Sequence, residues 1–223
     1  MAEQMNSTGI IFDLDGTLWD PVDQIIASWG IVLRNEGYDY QLDKKELLPY
    51  MGKPMDVISK DFFHFIPDRK RPVIAAMCFE YECEYLSIHG GRLYPGLVET
   101  LETLRRHYHL SIVSNCQKGY IEAFTVAHSL SEYFSDTECW GRTQLSKSEN
   151  IKQVVERNKL VHAVYVGDTD SDRIASKDSG VEFIYASYGF GDVQDAKYSI
   201  SAIAELPQMI DGILPESVRT LDE

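Results

Sequence analysis

The sequence predicts an α/β fold: a parallel sheet at the core, helices on both faces, and an α-helical domain inserted after the first strand. Three observations predict it. Short apolar runs rich in β-branched and aromatic residues alternate with stretches of helical periodicity. The first three runs stop abruptly at polar or acidic residues. The gap between the first and second runs is far longer than one crossover helix requires.

The first run, Gly9-Ile10-Ile11-Phe12, ends at Asp13. The second, Leu110-Ser111-Ile112-Val113, ends at Ser114-Asn115. The third, Ala163-Val164-Tyr165-Val166, ends at Gly167-Asp168, and a fourth spans Val181 to Tyr185. Helical patterns lie between them. Pro95 to His107 places Leu97, Leu101 and Leu104 at i, i+4 and i+7; Tyr120–Leu130 and Glu149–Asn158 also read as helices. Strands alternating with helices imply right-handed crossovers and a parallel sheet. The insertion, residues 20–91, is helical by pattern, with Ile25, Trp29 and Val32 on one stripe and a further helix over Val73–Ser87. Breaks fall at Pro49–Pro54 and Pro67-Asp68. The expected division is a core of residues 1–19 and 92–223 under a helical cap of residues 20–91.

Composition narrows the function. With 44% hydrophobic and 25% charged residues, the chain can bury a sizeable core. A formal net charge of −14 argues against a nucleic-acid surface and against attraction to anionic lipid. An anionic substrate would need local cations, either a bound metal or placed lysines. No apolar run approaches the roughly 18–20 residues that span a bilayer, and the polar stretch Met1–Thr8 has no signal-peptide core. Cys78, Cys83, Cys116 and Cys139 form no CxxC pair. They read as thiols in a reducing cytoplasm, with zinc ligation the alternative.

In an open parallel sheet, ligands bind beyond the carboxyl ends of the strands. Asp13, Ser114-Asn115 and Gly167-Asp168 should therefore meet in one crevice. Asp13 and Asp15 are two residues apart, so in extended chain they point the same way, roughly 6.5–7 Å from each other. Such a pair can flank a reacting phosphorus, one attacking while the other handles a proton. Gly16 allows a sharp turn that brings backbone N–H groups towards phosphate oxygens, and Thr17 adds a hydroxyl. Taken alone, Asp-Gly is equally a common turn pair. Asp168, Asp170 and Asp172 follow the third strand, with Asp168 and Asp172 spaced i, i+4. Their oxygens suit a hard cation such as Mg²⁺; capping of the next helix is the alternative and fits Asp170 or Ser171. Lys147 precedes a helix and reads either as a solvated lysine or as the cation that neutralises phosphate.

Asp13-Leu14-Asp15-Gly16-Thr17-Leu18 resembles the first motif of the haloacid dehalogenase-like superfamily. Ser114-Asn115, Lys147 and Gly167-Asp168-Thr169-Asp170-Ser171-Asp172 resemble its second, third and fourth motifs, in that order. The insertion falls where that family places its helical cap. The resemblance implies a Rossmann-like core and a Mg²⁺-dependent phosphatase. In it Asp13 attacks phosphorus to form an aspartyl-phosphate, and Asp15 protonates the leaving alcohol and then activates water. Ser114, Asn115 and Lys147 hold phosphate. Mg²⁺ is held by Asp13, the Asp15 main-chain carbonyl, Asp168 and Asp172. A carboxylate at position 15 is unlike the dehalogenase branch, whose leaving group needs no acid.

The substrate implied is a small phosphorylated metabolite, such as phosphoglycolate, a sugar phosphate or a nucleotide. Within the insertion, Met51-Gly52-Lys53-Pro54 resembles the specificity loop of phosphoglycolate phosphatase-like and β-phosphoglucomutase-like relatives. Lys53 then contacts a substrate anion, or is simply an exposed lysine beside a turn. Tyr188-Gly189-Phe190-Gly191 resembles a segment of the same relatives and reads as a loop at the crevice edge or a structural turn. Two alternatives stay open: a phosphomutase built on the same site, and a non-catalytic ligand-binding protein. Oligomeric state is not readable from the sequence.

Overall fold

A computed structural model describes residues 8–213 of the 223-residue chain. Residues 1–7 and 214–223 lie outside that range, and with them most of the N-terminal stretch and the far end of the expected core. In chain order the elements begin with β1 (Thr8–Phe12), β2 (Trp19–Asp20) and α1 (Val22–Asn35). The short α2 (Lys44–Leu47) and α3 (Met55–Val57) follow, the latter continuing as a wide turn, Ile58–Phe62, before the long α4 (Arg71–His89). Then come β3 (Arg92–Leu93), α5 (Leu97–Leu104), β4 (His109–Ser114), α6 (Tyr120–Ala127), β5 (Asp136–Cys139), α7 (Trp140–Thr143) and α8 (Lys147–Arg157). The chain continues through β6 (His162–Gly167), α9 (Asp170–Ser179), β7 (Glu182–Ala186), β8 (Ser199–Ile200) and α10 (Leu206–Ile213).

The main sheet has six parallel strands in the order β5-β4-β1-β6-β7-β8. β1 is central, with Ile10 opposite Leu110 of β4 and Val164 of β6. All five of its residues are buried, which is why it reads as an unbroken apolar run. The alternating pleat sends Ile10 and Phe12 to one face and Ile11 to the other. On the Ile11 face, Val113 and Tyr165 pack with Ile151 and Val154 of α8 and Ala175 of α9. The opposite face carries α5, α6 and α10 and merges with the core of the helical insertion. The α/β class and its two helical layers are as the sequence predicts.

The four predicted strands are present to within a residue or two at each end. Two further strands of the main sheet escape the apolar-run criterion. β8 is only two residues long, and β5 reads Asp-Thr-Glu-Cys. β5 is an edge strand whose acids are matched by Arg157, which bonds Asp136 at 2.5 and 2.7 Å and Glu138 at 2.7 Å. α8 begins two residues earlier than its pattern suggests, because Ser146 caps it in a reciprocal box with Glu149.

The insertion leaves and rejoins the sheet through one antiparallel pairing, Trp19 opposite Leu93 and Asp20 opposite Arg92. Inside it, Ile25, Trp29 and Val32 are buried as their stripe requires. The Trp29 ring packs against Phe62, Phe63 and Phe79 at centroid distances of 5.5, 5.1 and 5.7 Å. Its indole N–H donates to Glu82 Oε2 at 2.7 Å, in the middle of α4. α4 packs along α1 on one side and along α6 on the other.

Glu82 is 2% exposed, and burial pushes its carboxyl from 4.5 up to about 8. The folded chain keeps this proton to a higher pH than the unfolded chain does. The associated stability is therefore complete below pH 4.5 and declines as pH rises to about 8. Comparing Glu82→Gln with the parent isolates this group. Between pH 5 and pH 8 the stability difference should move in favour of the variant by on the order of a few kcal/mol, read by urea unfolding at both pH values. An unchanged difference would show that Glu82 titrates normally.

Candidate active site

The strand order reverses at β1, with β4 and β6 on its two sides, and the crevice beyond its carboxyl end holds the predicted residues. The Asp13 amide donates to the Val166 carbonyl at 2.8 Å, extending the ladder one residue and fixing where the side chain emerges. Asp13 is 2% exposed, and Lys147 Nζ lies 2.7 Å from its Oδ1 and 2.6 Å from Asp172 Oδ1. Lys147 is the first residue of α8. Helical side chains lean towards the N-terminus, so this position aims the ammonium out of the helix and into the crevice.

Asp168 follows β6 and is fully buried. Its Oδ2 accepts from the Phe190 amide at 2.7 Å. A Cβ at Gly189 would overlap the Asp168 side chain, so the Tyr188–Gly191 loop can brace that carboxylate only with glycine there. Asp172, in the first turn of α9, accepts from the Thr169 amide at 3.0 Å and its hydroxyl at 2.7 Å through Oδ2, leaving Oδ1 for Lys147. Thr169 is thus the helix cap, not Asp170 or Ser171; Asp170 bonds Arg173 instead. Carboxylate oxygens of Asp13, Asp168 and Asp172 lie within 4.8 Å of one another.

This crowding shows in the proton affinities. Burial raises the Asp13 carboxyl well above the usual carboxylate range; the Lys147 ammonium opposes this, while Asp172 and Asp168 add to it. Burial and the neighbouring Asp172 push Asp168 up to about 7. Three carboxylates against one ammonium leave two negative charges uncompensated in a dry pocket. That deficit and the all-oxygen donor set fit one divalent hard cation.

Asp15 is placed differently. Its Oδ1 accepts from Trp19 Nε1 at 2.8 Å and from Tyr120 Oη at 2.9 Å, so the carboxylate stands apart from the three-acid cluster. Burial pushes it up to about 6, against the two hydrogen bonds, which lower it. Gly16 adopts φ +85°, and a Cβ there would strike the Asp168 carboxylate. Two expected phosphate contacts are arranged otherwise. The Gly16 amide donates to the Trp19 carbonyl at 2.9 Å, because the turn closes on itself. The Thr17 hydroxyl is fully buried and faces Asp168 Oδ1 at 3.4 Å. Both support the loop and its acids.

Ser114 and Asn115 end β4 and are nearly buried, and Asn115 Nδ2 donates to the Gly52 carbonyl at 2.9 Å. Lys53 is exposed, with Nζ 4.7 Å from the Tyr50 ring centre. It sits at the edge of a cavity also lined by Asp15, Ser114 and Asn115. Tyr120 and Trp19 each look like an ordinary core aromatic in the sequence; the local turn brings Trp19, four residues on, to Asp15, and the tertiary fold brings Tyr120.

A profile of the family described as haloacid dehalogenase-like hydrolase matches residues 10–186, and the chain belongs to that family. Among curated proteins it is 27% identical over 194 residues to a 5'-nucleotidase of Pseudomonas aeruginosa, covering 84% of this chain and 86% of that one. It is 28% identical over 189 residues to a phosphoglycolate phosphatase of Rhodobacter capsulatus, covering 81% and 84%. In fold it is similar to a predicted phosphoglycolate phosphatase from Haemophilus somnus, with a TM-score of 0.80 at 20% identity over 94% of this chain and 99% of that one.

Removing the Lys147 charge should expose how much the site depends on it. Lys147→Met leaves two buried carboxylates without their counter-ion, and a loss of about 3–5 kcal/mol is expected. Denaturant unfolding at neutral pH measures it, and a loss below 1 kcal/mol would mean that the acids are solvated.

Proposed function

We propose that this chain is a Mg²⁺-dependent phosphatase that hydrolyses a small-molecule phosphate monoester through an aspartyl-phosphate on Asp13. The observation that carries the reading is the separation of two carboxylates into two environments within one short loop. Asp13 is charge-paired with Lys147, whose ammonium opposes the effect of burial and favours the nucleophilic carboxylate; Asp15 has no such cation, is held by Trp19 and Tyr120, and is poised at about 6. A carboxyl with that proton affinity can give a proton to a leaving alkoxide near neutral pH and take one from water afterwards.

In this reading an Asp13 oxygen attacks phosphorus in line with the ester oxygen, the P–O bond to the alcohol breaks, and Asp15 supplies the alcohol's proton. Water, deprotonated by Asp15, then attacks phosphorus and releases phosphate from Asp13. Ser114 and Lys147 hold phosphoryl oxygens. Asn115 supports them and ties the crevice to the Gly52 carbonyl. Bound by Asp13, Asp168, Asp172 and the Asp15 carbonyl, Mg²⁺ would supply charge neutralisation for the phosphoryl group. The single β2–β3 pairing at the mouth of the insertion supports residues 20–91 as a cap on a core of residues 1–19 and 92–223. Four free cysteines suit a reducing cytoplasm. Among the described residues no helix is long and apolar enough to cross a membrane.

Phosphate release from a panel of esters, with Mg²⁺ and with EDTA, tests the reading. Asp13→Asn should lower the rate by at least about a thousandfold, and a variant with undiminished release would remove Asp13 as nucleophile. The metal is tested apart from turnover: Mg²⁺ should raise the melting temperature of the parent chain and leave that of Asp168→Asn unmoved. Asp15→Asn should cost about 10²–10⁴-fold on alkyl phosphates and much less on acetyl phosphate, whose leaving group needs no acid. Equal losses on both would assign Asp15 another role.

A further inference from the structure

A cavity opens beyond Asp15, between the strand ends and the insertion, and its walls state what leaving group it accepts. It measures about 30 Å³, room for two or three waters at roughly 10–15 Å³ each, so it favours a small group. Trp29, Tyr50 and Tyr120 give it aromatic walls. Among the lining residues, Asp15 and Glu82 are the acids, and Lys53, at the rim over the Tyr50 ring, is the cation. Glu82 is almost wholly buried, is anchored by the Trp29 N–H at 2.7 Å, and is approached by the Gln117 amide.

Resting on the phosphatase reading, we propose that Glu82 is a specificity-determining residue that selects phosphate esters of small uncharged alcohols carrying a second hydroxyl. It does so from the insertion, opposite the core residues that carry out the chemistry. A hydroxyl can both donate to the Glu82 carboxyl and accept from it. A leaving group bearing its own carboxylate would lose its hydration between aromatic walls, with the one lining cation, Lys53, only at the rim, and burying that charge costs far more than burying a hydroxyl. A nucleoside exceeds the available volume several-fold. Burial holds Glu82 protonated to about pH 8, which leaves it an O–H to offer at neutral pH as well as an acceptor oxygen. The inference separates this chain from relatives named for phosphoglycolate or for nucleotides.

The test compares kcat/KM for glycerol phosphate, phosphoglycolate, a nucleoside 5'-monophosphate and acetyl phosphate, in the parent chain, Glu82→Gln and Glu82→Leu. The parent should prefer glycerol phosphate to phosphoglycolate and to the nucleotide by about tenfold or more, the worth of one lost or mismatched hydrogen bond. In Glu82→Leu the ratio of glycerol phosphate to acetyl phosphate should fall about tenfold, chiefly through KM. Glu82→Gln, which keeps a donor, an acceptor and the Trp29 partner, should restore most of that ratio. Preference for phosphoglycolate or the nucleotide by the parent chain would overturn the proposal, and that comparison stands even where the leucine variant does not fold. So would an unchanged ratio in a folded Glu82→Leu. Cleavage of acetyl phosphate that needs Asp13, with phosphoglycolate the best ester, would sink the Glu82 assignment alone. Cleavage of nothing would sink the phosphatase reading with it.

Discussion

The ammonium of Lys147, lodged between Asp13 and Asp172, is the contact on which the site depends. Ionised groups carried out of water lose several kcal/mol of hydration each. Three carboxylates with oxygens within 4.8 Å of one another would answer by taking up protons, and in the proposed reaction a protonated Asp13 attacks nothing. A single buried cation offsets part of that tendency. Its location sets demands far from the crevice. Lys147 must open α8, so the capping box at Ser146 and Glu149 has to fall where it does, and α8 must lie across β4 and β5. The packing of Ile151 and Val154 against Ile11 and Val113 then holds that helix at the right height.

The two acids of the first loop sit in different surroundings within one short segment. Asp13 continues β1 and inherits its rigidity through the bond to Val166. Asp15 lies just before the turn at Gly16, and its partners are a local indole, Trp19 four residues on, and a phenol from α6. The turn that follows them, at Gly16, is tight because the Asp168 carboxylate lies against it, and Gly189 lies against Asp168 in turn. Loop, acid and distal loop are stacked in van der Waals contact. This is why glycines recur there and why the hydroxyl of Thr17 faces inward.

Much of this was legible in the sequence because buried parallel strands announce themselves as apolar runs, and the residue that ends each run marks the crevice. Asp13, Ser114 and Asp168 were found that way without reference to any family. β5 was not, since Asp136 and Glu138 break the apolar signal and their compensation by Arg157 is visible only in three dimensions. Lys147 carried no signal of its own until the motif order gave it one. Glu82 had none at all: an acid in the middle of a long helix reads as solvent-facing, and only the docking of α4 on α1 and α6 buries it. At Gly16 and Thr17, composition reveals that a turn is tight and not that the Gly16 amide meets the Trp19 carbonyl or the Thr17 hydroxyl faces Asp168.

The hydrogen bond from Tyr120 to Asp15 ties acid strength to the seating of the insertion. Tyr120 opens α6, the helix along which α4 lies, so the pocket that desolvates Asp15 is closed by residues from both sides of that seam. Water admitted there would let Asp15 ionise freely and remove its readiness to give up a proton. In the proposed reaction Asp15 is therefore a competent acid only where that seam keeps water out.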